Sequence, residues 1–552
     1  MVWFLAWTPF ALGHWLNLFH TSYLDYPAGV NLARNTSVPL LGLIAAPVTL
    51  LIGPVASFNF LLRLAFFSSA TSMFLVLRTF CRRSTAAFLG ALVYAFGPYL
   101  ASQDQGGAHL TFAFEALPPI IMWCLYELIV TQKRRPVRMG LLLGVLAGAQ
   151  AYIEPEVLAE IAVVTLIGVA VGAVLHPTQV RLKARHLALG LGTAAGVLFL
   201  IGGDLVWWMC FAPGHLSGPA QPTNVLQSDA NDLLSPIVPT SRQLVAPGSL
   251  AQAAARFVAG NFTENGGYLG IPFIAAWIAT AITLRRDAIV RVTTGLAAIA
   301  FVISLGSRLT IDGHQTSIPL PEAVFAHLPL LDNTVPARYA LLVLLCSCVA
   351  LSIGLDRALG VVASVAARHR RELLAGIGVL ATVVVVSVAP RLPFRSTGFE
   401  WPASTPSLLS QLPAGSVVLT YPYPYRRWDE TMVWQAQDQM SFRIIGGYAY
   451  VQGSGGSQWW PPLVYPNYVQ EFLVEEQDPA GDYYPSFRTA SGPTGGAALC
   501  KFLSLESVDA VVWWNAGDGA GAVKAYFLHT LGRPALDENG VLLWDHASWA
   551  CN

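Results

Sequence analysis

Residues 17–39 read NLFHTSYLDYPAGVNLARNTSVP, a polar loop with a single carboxylate, Asp25, between two apolar segments. The whole chain of 552 residues is 54% hydrophobic and only 12% charged, whereas a soluble globular protein is about a quarter charged. The composition therefore predicts an integral membrane protein. We expect the loop to lie on the outer face of the membrane, above a site embedded among the helices.

Charge balance and cysteine spacing exclude several other classes. Basic and acidic residues are equal in number, 32 each, and no basic run resembles a nucleic-acid footprint. The first residues, MVWFLAWTPFALGHW, have neither a basic start nor a small-residue cleavage site, so they do not predict a signal peptide. No cysteine spacing resembles a metal knuckle. Cys500 and Cys551 could pair if their segment is extracytoplasmic, although spacing alone does not establish a bridge.

Apolar runs of the length needed to cross a bilayer recur along the chain. A transmembrane helix needs about 20 mainly apolar residues, or somewhat fewer where the membrane is thin. Ten runs are candidates: 58–80, 86–101, 110–130, 139–152, 157–175, 187–211, 266–284, 292–305, 339–353 and 373–388. The sequence thus predicts a polytopic α-helical membrane protein with about ten transmembrane helices.

Basic residues occupy every second connection between these runs, which predicts the orientation. They lie at 82–83, 133–138, 181–185, 285–286 and 368–371. Because cytoplasmic connections hold the excess of Lys and Arg, we expect these inside and the alternate connections outside, together with everything after residue 388.

Residues before Ser57 then lie outside as well. The segment 39–54 is short and contains a proline, so we interpret it as a helix in the outer interface. Residues 1–18 are interpreted as an interfacial amphipathic helix. Alternatively, 39–54 spans the membrane, which would place the loop 17–39 in the cytoplasm.

The composition changes near Arg391. Short β-rich runs punctuated by Gly and Pro follow, among them LPAGSVVLTYPYP, FRIIGGYAYV, VDAVVWWNAG and GVLLWDH. We therefore expect three parts: an outer-face loop with interfacial helices at 1–57, a multi-span transmembrane domain at 58–390, and an extracytoplasmic α/β domain at 391–552.

With this topology, ionisable side chains scattered through the apolar half gather at the outer face. Such groups are costly at membrane depth and usually line a cavity or pair with one another. The candidate catalytic carboxylates are Asp25, Asp104, Glu154 and Glu156, and the candidate substrate-binding residues are Tyr152, His109, Asp204 and Arg338. Glu115 could belong to the same cavity.

Each candidate also has a structural interpretation. Asp25 could stabilise a turn, the two glutamates around Pro155 could serve a helix dipole, and Asp204 could reach the interface. Arg338 could anchor a helix end, yet a guanidinium also binds phosphate through two hydrogen bonds. Tryptophans of the C-terminal part could stack on sugar rings or fill a core: Trp428, Trp434, Trp459, Trp460, Trp513 and Trp514.

Several carboxylates and a cation at the outer edge of the bilayer fit the transfer of a group from a lipid phosphate carrier. One carboxylate would deprotonate an acceptor hydroxyl, and the cation would stabilise the departing phosphate. A lipid-linked donor also explains why the site lies among membrane helices.

Stretches distributed over nearly the whole chain carry a family resemblance: WFLAWTPFALGHWLN, YPAGVNLARNTSVPLLG, AFGPYLASQ with the following HL, QAYIEPEVL, VPARYALLV, VVLTYPYP, FRIIGGYAYV and VDAVV. In these the sequence resembles an actinobacterial branch of the GT-C superfamily of membrane glycosyltransferases. The resemblance implies a polyprenyl-phosphate sugar donor, a glycan or lipid acceptor in the cell envelope, and an inverting transfer. It also implies that Asp25 or a partner is the base, that Arg338 lies near the phosphate, and that carboxylates could hold a divalent metal ion. Relatives of that branch carry one more span and an acidic segment ahead of the WFLAW stretch, which begins at Trp3 in this sequence. The resemblance therefore leaves open that the base lies in that upstream segment.

Two other functions stay open from the sequence. A transporter or flippase of an envelope lipid would use the same carboxylates, but it needs a polar path to the cytoplasmic face, and the inner halves of the predicted spans hold few ionisable residues. A non-catalytic membrane scaffold would tolerate neutral substitutions of Asp25 and Glu154. In every case we expect a multi-pass protein of the plasma membrane with its active face outside.

Overall fold

The computed structural model describes residues 1–35, 37–107, 109–219, 223–257, 262–325, 328, 331–394, 396, 412–425, 428–453, 456–458, 468–477 and 495–547. The chain forms two compact units. Unit 1 comprises Met1–Phe58, Asp204–Ala220 and Ser396–Asn552, and unit 2 comprises Asn59–Gly203 and Gln221–Arg395. Trp459, Trp460 and Cys551, which the sequence singles out, lie outside the described residues.

Helices dominate the first 390 residues. In chain order they are α1 Val2–Gly13, α2 Pro39–Leu51, α3 Pro54–Phe80, α4 Ser84–Ala95, α5 Pro98–Gly107, α6 Leu110–Ala113, α7 Pro118–Tyr126, α8 Pro136–Ala151, α9 Pro155–Leu175, α10 Pro177–Cys210, α11 Thr223–Ser228, α12 Gly248–Ala254, α13 Ile271–Thr283, α14 Ala288–Ser304, α15 Glu322–Phe325, α16 Ala340–Ser364 and α17 Ala367–Val388. A π-helical turn, Glu127–Thr131, extends α7, and a 3₁₀ turn, Pro336–Tyr339, leads into α16.

Among the described residues, six helical segments are long and apolar enough to cross a membrane. They are Pro54–Phe80, Ser84–Gln105, Pro155–Leu175, Arg181–Cys210, Pro336–Ser364 and Ala367–Val388. The four other predicted spans contain shorter apolar helices: Pro118–Thr131, Pro136–Ala151, Ile271–Thr283 and Ala288–Ser304. The mostly helical architecture with six candidate spans is therefore established, whereas the count of ten stays a prediction.

Helix α16 is the centre of unit 2. Its side chains are almost continuously buried from Ala340 to Ala350, and it packs against α4, α13 and α14. Small residues allow these close contacts: a Cβ atom at Gly90 of α4 would lie 1.9 Å from Ser352 Oγ, and one at Gly354 would lie 2.6 Å from Thr280 Oγ1 of α13. Small residues at helix contacts are typical of membrane bundles, where close van der Waals packing holds the helices together.

Where the structure describes the first 390 residues, two strand pairs accompany these helices. In unit 1, β1 His20–Thr21 pairs antiparallel with β2 Val30–Asn31. This hairpin carries Asp25, and its backbone joins residues near 445, since Asp25 N donates to Gly446 O at 2.7 Å. In unit 2, β3 Arg308–Ile311 pairs antiparallel with β4 His314–Pro319.

The rest of unit 1 is built around a five-stranded sheet. Its strands are β5 Val417–Tyr421, β6 Arg443–Ile444, β9 Ala510–Trp514, β10 Leu536–Glu538 and β11 Val541–Asp545, in the order β10-β11-β9-β5-β6. The pair β5–β9 is parallel, β9–β11 is antiparallel, and β7 Val451–Gly453 pairs separately with β8 Gly456–Gln458. Within the described residues of this part, four helices accompany the sheet: α18 Glu430–Gln437, α19 Tyr468–Gln477, α20 Gly496–Leu505 and α21 Ala520–Leu531.

The strands β5 and β9 are buried along their whole length, as expected for apolar parallel strands covered on both faces. Trp434, Trp513 and Trp514 are 3–4% exposed, which places them in the core of unit 1. The N-terminal helix belongs to the same unit, because Trp3 Nε1 donates to Gln435 Oε1 at 2.5 Å. A separate extracytoplasmic domain at 391–552 stays a prediction.

Candidate functional site

A buried Arg–Glu cluster lies in unit 2 at the start of α16. Arg338 Nη1 donates to Glu156 Oε2 at 2.5 Å, and Arg338 Nη2 donates to Glu264 Oε1 at 2.7 Å. The Arg338 Nε atom lies 3.1 and 3.2 Å from the two Glu264 oxygens. The Glu264 side chain is 0% exposed, and those of Arg338 and Glu156 are 12% and 13% exposed. One guanidinium is thus held by two carboxylates that have almost no access to solvent.

The 3₁₀ turn Pro336–Tyr339 presents Arg338 to these acids. Proline at the start of a helical turn costs no hydrogen bond, because the first N–H groups have no intrahelical acceptor. Val335 N, just before the turn, donates to Glu156 Oε1 at 2.7 Å. Asn231 Nδ2 donates to Ala337 O at 3.2 Å. Contacts from separate parts of unit 2 therefore fix the backbone on both sides of Arg338.

Glu154 and Glu156 occupy the N-terminus of α9. Glu154 is the N-cap, and its Oε1 accepts a hydrogen bond from Glu156 N at 3.3 Å. Pro155 takes the first helical position, where its ring suits the helix. Burial raises the pKa of Glu154 to about 7, and the nearby Glu156 adds to the rise while Arg338 opposes it. This carboxyl therefore exchanges its proton near neutral pH, as a general base or acid must.

Phe112 and His109 complete the surroundings of Arg338. The Arg338 Cζ atom lies 3.8 Å from the centre of the Phe112 ring, a cation–π contact. His109 Nδ1 lies 3.9 Å from Glu264 Oε1, and the histidine side chain is 36% exposed. Desolvation of the imidazole by the surrounding protein lowers the pKa of His109 to about 4. Glu264 opposes this shift, and Arg338 adds to it. The imidazole is therefore neutral at pH 7.

Charge in the cluster is not balanced one to one. Burial alone would raise the pKa of Glu264, but the bonds from Arg338 outweigh burial and leave that pKa below its usual value. Glu264 is therefore ionised at neutral pH, and Gln103 Nε2 lies 3.4 Å from its Oε2. A second carboxylate, Glu156, shares the same guanidinium. Two carboxyl groups thus share one guanidinium, and burial raises the pKa of Glu156 while Arg338 opposes the rise.

Two further acids are buried in unit 2. The side chains of Glu115 and Glu160 are fully buried, and none of their four oxygens has a hydrogen-bond partner within the described part of the chain. The Gln150 Oε1 atom is also buried and has no hydrogen-bond partner among the described residues. Buried polar atoms without partners are rare because they cost desolvation free energy. Glu115, Gln150 and Glu160 therefore add buried polar groups to the candidate site beyond the Arg338 cluster.

The structure brings together four of the eight predicted residues: His109, Glu154, Glu156 and Arg338. Asp104 is half-buried on α5 and follows Gln103 in the chain. The Tyr152 hydroxyl donates to Ile201 O of α10 at 2.9 Å. This bond connects the end of α8 to a neighbouring helix.

The other two predicted residues, Asp25 and Asp204, belong to unit 1. Asp25 is 7% exposed, and its backbone is left-handed, with φ of 51°, a conformation that Asp tolerates better than most residues. Burial raises the pKa of Asp25 well above its usual value, and Glu506 adds to the rise. Asp204 is exposed on α10.

Sequence reasoning missed Glu264, the most buried partner of Arg338, and Glu160. Glu264 lies in the turn Phe262–Glu264, in a loop whose local pattern gives no indication of a buried ion pair. Glu160 was detectable: it follows Glu156 by four residues inside an apolar run, and such spacing places both carboxylates on one helix face.

The donor set does not fit the divalent metal ion that the resemblance implies. Both carboxylates nearest the cluster centre, Glu156 and Glu264, are bonded to Arg338. Over the described ranges, no group of three or more His, Cys, Asp or Glu side chains could hold a metal ion.

Residues 2–367 match the family described as "Domain of unknown function (DUF6311)", which is more than half of the chain. The protein belongs to the DUF6311 family. All residues of the Arg338 cluster lie inside the matched range, whereas the five-stranded sheet lies after it. No curated protein matches the chain.

Two solved structures are similar to this DUF6311 protein. One is the oligosaccharyltransferase AglB from Archaeoglobus fulgidus in complex with an inhibitory peptide and a dolichol-phosphate, with a TM-score of 0.41 and 12% identity over 93% of this chain and 65% of that chain. The other is ArnT from Cupriavidus metallidurans in the apo state, with a TM-score of 0.42 and 11% identity over 100% of this chain and 93% of that one. The DUF6311 chain thus spans 65% of the length of AglB.

Proposed function

We propose that this DUF6311 protein is a GT-C-type membrane glycosyltransferase. It would transfer a sugar from a polyprenyl-phosphate donor to an extracytoplasmic acceptor of the cell envelope, with inversion at the anomeric carbon. The observation that carries the proposal is Glu154: a carboxyl with a pKa of about 7 beside Arg338, itself held between Glu156 and Glu264. A base whose pKa matches the working pH is well suited to take a proton from a hydroxyl.

The proposed glycosyltransferase function is supported by the stretches that resemble GT-C enzymes, because their polar side chains lie close together in the structure. AFGPYLASQ and the following HL supply Gln103 and His109, QAYIEPEVL supplies Glu154 and Glu156, and VPARYALLV supplies Arg338. These stretches are separated by dozens to hundreds of residues, yet their polar side chains meet in one buried cluster.

In the proposed reaction, Glu154 takes the proton of the acceptor hydroxyl while that oxygen attacks the anomeric carbon opposite the phosphate. The new carbon–oxygen bond forms as the bond to the phosphate oxygen breaks, and the electron pair leaves with the polyprenyl phosphate. Asp25 remains the second candidate for the base. Burial raises the pKa of Asp25 well above its usual value, and Asp25 lies in unit 1, whereas Glu154, Glu156 and Arg338 lie in unit 2.

Arg338 would act mainly by positioning the acids. Each of its three guanidinium nitrogens already donates to a carboxylate. Two N–H groups, one on each terminal nitrogen, remain for a phosphate oxygen. The predicted contact between Arg338 and the donor phosphate depends on these two groups, and the excess of acid around them weakens their attraction for an anion.

A transfer assay with matched variants tests the proposal. The purified protein is incubated with labelled polyprenyl-phosphate sugars and extracted envelope acceptors, alongside Glu154→Gln and the control Glu372→Gln, whose carboxylate is 77% exposed on α17. We expect transfer by the wild type and the control, and a rate about 10²–10⁴-fold lower for Glu154→Gln.

Absence of transfer with every donor by correctly folded protein would contradict the proposal. Movement of the lipid across vesicle membranes without sugar transfer would favour a flippase instead. Characterising the anomeric configuration of the product by NMR tests the inversion.

A further inference from the structure

A crevice of about 460 Å³ opens among α4, α13, α16 and α17 of unit 2. The first α16 residue in its lining, Cys348, follows Arg338 by ten positions. At 1.5 Å per residue this places it about 15 Å along the helix from the Arg–Glu cluster. The crevice is therefore a second site, separate from the proposed transfer centre.

Small and apolar side chains form most of the walls. Five alanines contribute small side chains to the lining: Ala86, Ala276, Ala279, Ala358 and Ala381. The volume falls within the range of about 300–1,000 Å³ that ligand pockets occupy. Four helices with membrane-type composition surround it, so a hydrocarbon chain is the occupant that matches the walls.

Positive charge collects at one end of the crevice. Arg357 lines it directly, and its side chain is 60% exposed. Arg285 and Arg286 follow Leu284, the last lining residue after α13, and both are exposed. Arg83 Nη1 donates to Asp356 O at 2.9 Å, close to the same turn of α16.

Acidic groups offset only part of this charge. Asp287 pairs with Arg357 at 3.4 Å, and Asp356 lies 3.6 Å from Arg83. Arg83 and Arg357 are thus each paired with a carboxylate, and Arg285 and Arg286 on the connection after α13 leave the charge near this end of the crevice net positive, which suits an anion.

We propose that the crevice binds an anionic phospholipid, with an acyl chain between the helices and the phosphate on Arg357 and its neighbouring arginines. The excess of arginine predicts that this end faces the cytoplasm, where the leaflet is rich in anionic lipid and basic pockets between helices bind such headgroups. The inference is independent of the sugar transfer proposed at the other end of α16. The polyprenyl chain of a sugar donor is the competing occupant, and the test separates the two.

The test measures thermal unfolding of the purified, delipidated full chain in detergent. Dioleoylphosphatidylglycerol, dioleoylphosphatidylethanolamine and polyprenyl phosphate are added in separate titrations. The phosphatidylglycerol should raise Tm saturably, and the zwitterionic lipid with the same chains should not. Arg357→Gln should weaken the apparent affinity about fivefold, the equivalent of roughly 1 kcal/mol for one arginine near the membrane surface.

Two matched pairs of variants make the result specific. Arg138 is an exposed arginine that is also predicted to lie on the cytoplasmic side of the membrane, but it does not line the crevice. Arg138→Gln should therefore bind phosphatidylglycerol with the wild-type affinity. Ala279→Phe fills the crevice and should abolish the rise in Tm, whereas Ala275→Phe, on an exposed position of α13 outside the lining, should not.

An equal response to both phospholipids would overturn the proposal, as would protection by polyprenyl phosphate alone. An unchanged affinity in Arg357→Gln would do the same. Because Arg357 is largely exposed, that variant keeps the test decisive even if Ala279→Phe fails to fold.

Discussion

Replacing Arg338 by glutamine should destabilise the protein strongly, because two buried carboxylates lose the charge that offsets them. The Glu264 side chain is 0% exposed and that of Glu156 is 13% exposed, so water cannot take the place of the guanidinium. Removing one partner of a buried ion pair costs about 3–5 kcal/mol. We expect Arg338→Gln to lower the free energy of unfolding by this amount at pH 7.

A double-mutant cycle with Glu264→Gln isolates the pair. Glu264→Gln leaves Arg338 bonded to Glu156 and should cost less than Arg338→Gln. The double variant removes both charges, so the two effects should differ from additivity by about 1–3 kcal/mol. Reversible denaturation in mixed micelles, followed by far-UV circular dichroism, measures each value.

The control for this cycle is the exposed pair Arg256–Asp312, at 3.0 Å with side chains 59% and 52% exposed. Breaking this pair by Arg256→Gln should lower the free energy of unfolding by no more than about 1 kcal/mol.

The stability that the buried Arg338–Glu264 pair contributes should depend on pH. Because the folded pKa of Glu264 lies below its ordinary value of 4.5, this stability is present above that pH. It is lost as the pH falls through the lower, folded pKa. The reasoning is wrong if Arg338→Gln costs no more than Arg256→Gln, or if the cycle is additive.

Three further outcomes are expected. The rate of sugar transfer should rise as the pH increases through about 7, because Glu154 must lose its proton to act as a base; a flat profile from about pH 6 to 8 would exclude this role. Phe112→Leu should lower the free energy of unfolding by about 1 kcal/mol through the lost cation–π contact with Arg338, measured in the same micelles, and an unchanged stability would show that the stacking contributes nothing. A cysteine introduced at Ser22 should react with an impermeant thiol reagent on intact cells, and protection from the reagent would place the loop 17–39 in the cytoplasm.

The helices could be predicted from the sequence because long apolar runs in a chain with few charges have few alternatives to membrane helices. Their interruptions were less visible. The predicted span 110–130 is divided between α6 and α7, and the second helix begins at the proline pair Pro118–Pro119. The predicted span 86–101 is interrupted before Pro98 in the same way. Proline favours the first turn of a helix over its interior. Both breaks therefore follow from the prolines, which a count of apolar residues does not treat as helix boundaries.

The site could be predicted in part. Glu154, Glu156 and Arg338 were detectable because an ionisable residue beside an apolar run is unusual. Their pairing was not, since it depends on how loops hundreds of residues apart approach one another. Glu264 is the clearest case: it neutralises Arg338 in the fold, yet its sequence neighbours resemble any polar loop. The role expected for Arg338 changes accordingly from free phosphate ligand to a cation already held by acids.

Single-turnover sugar transfer by Glu154→Gln, compared with the wild type and with Asp25→Asn, tests the central claim most directly. Each protein is first shown to have the wild-type Tm, so that folding does not confound the rate. The claim that Glu154 is the base predicts a rate at least about a hundredfold below wild type for Glu154→Gln and a smaller loss for Asp25→Asn. A Glu154→Gln protein that transfers sugar at the wild-type rate would contradict it.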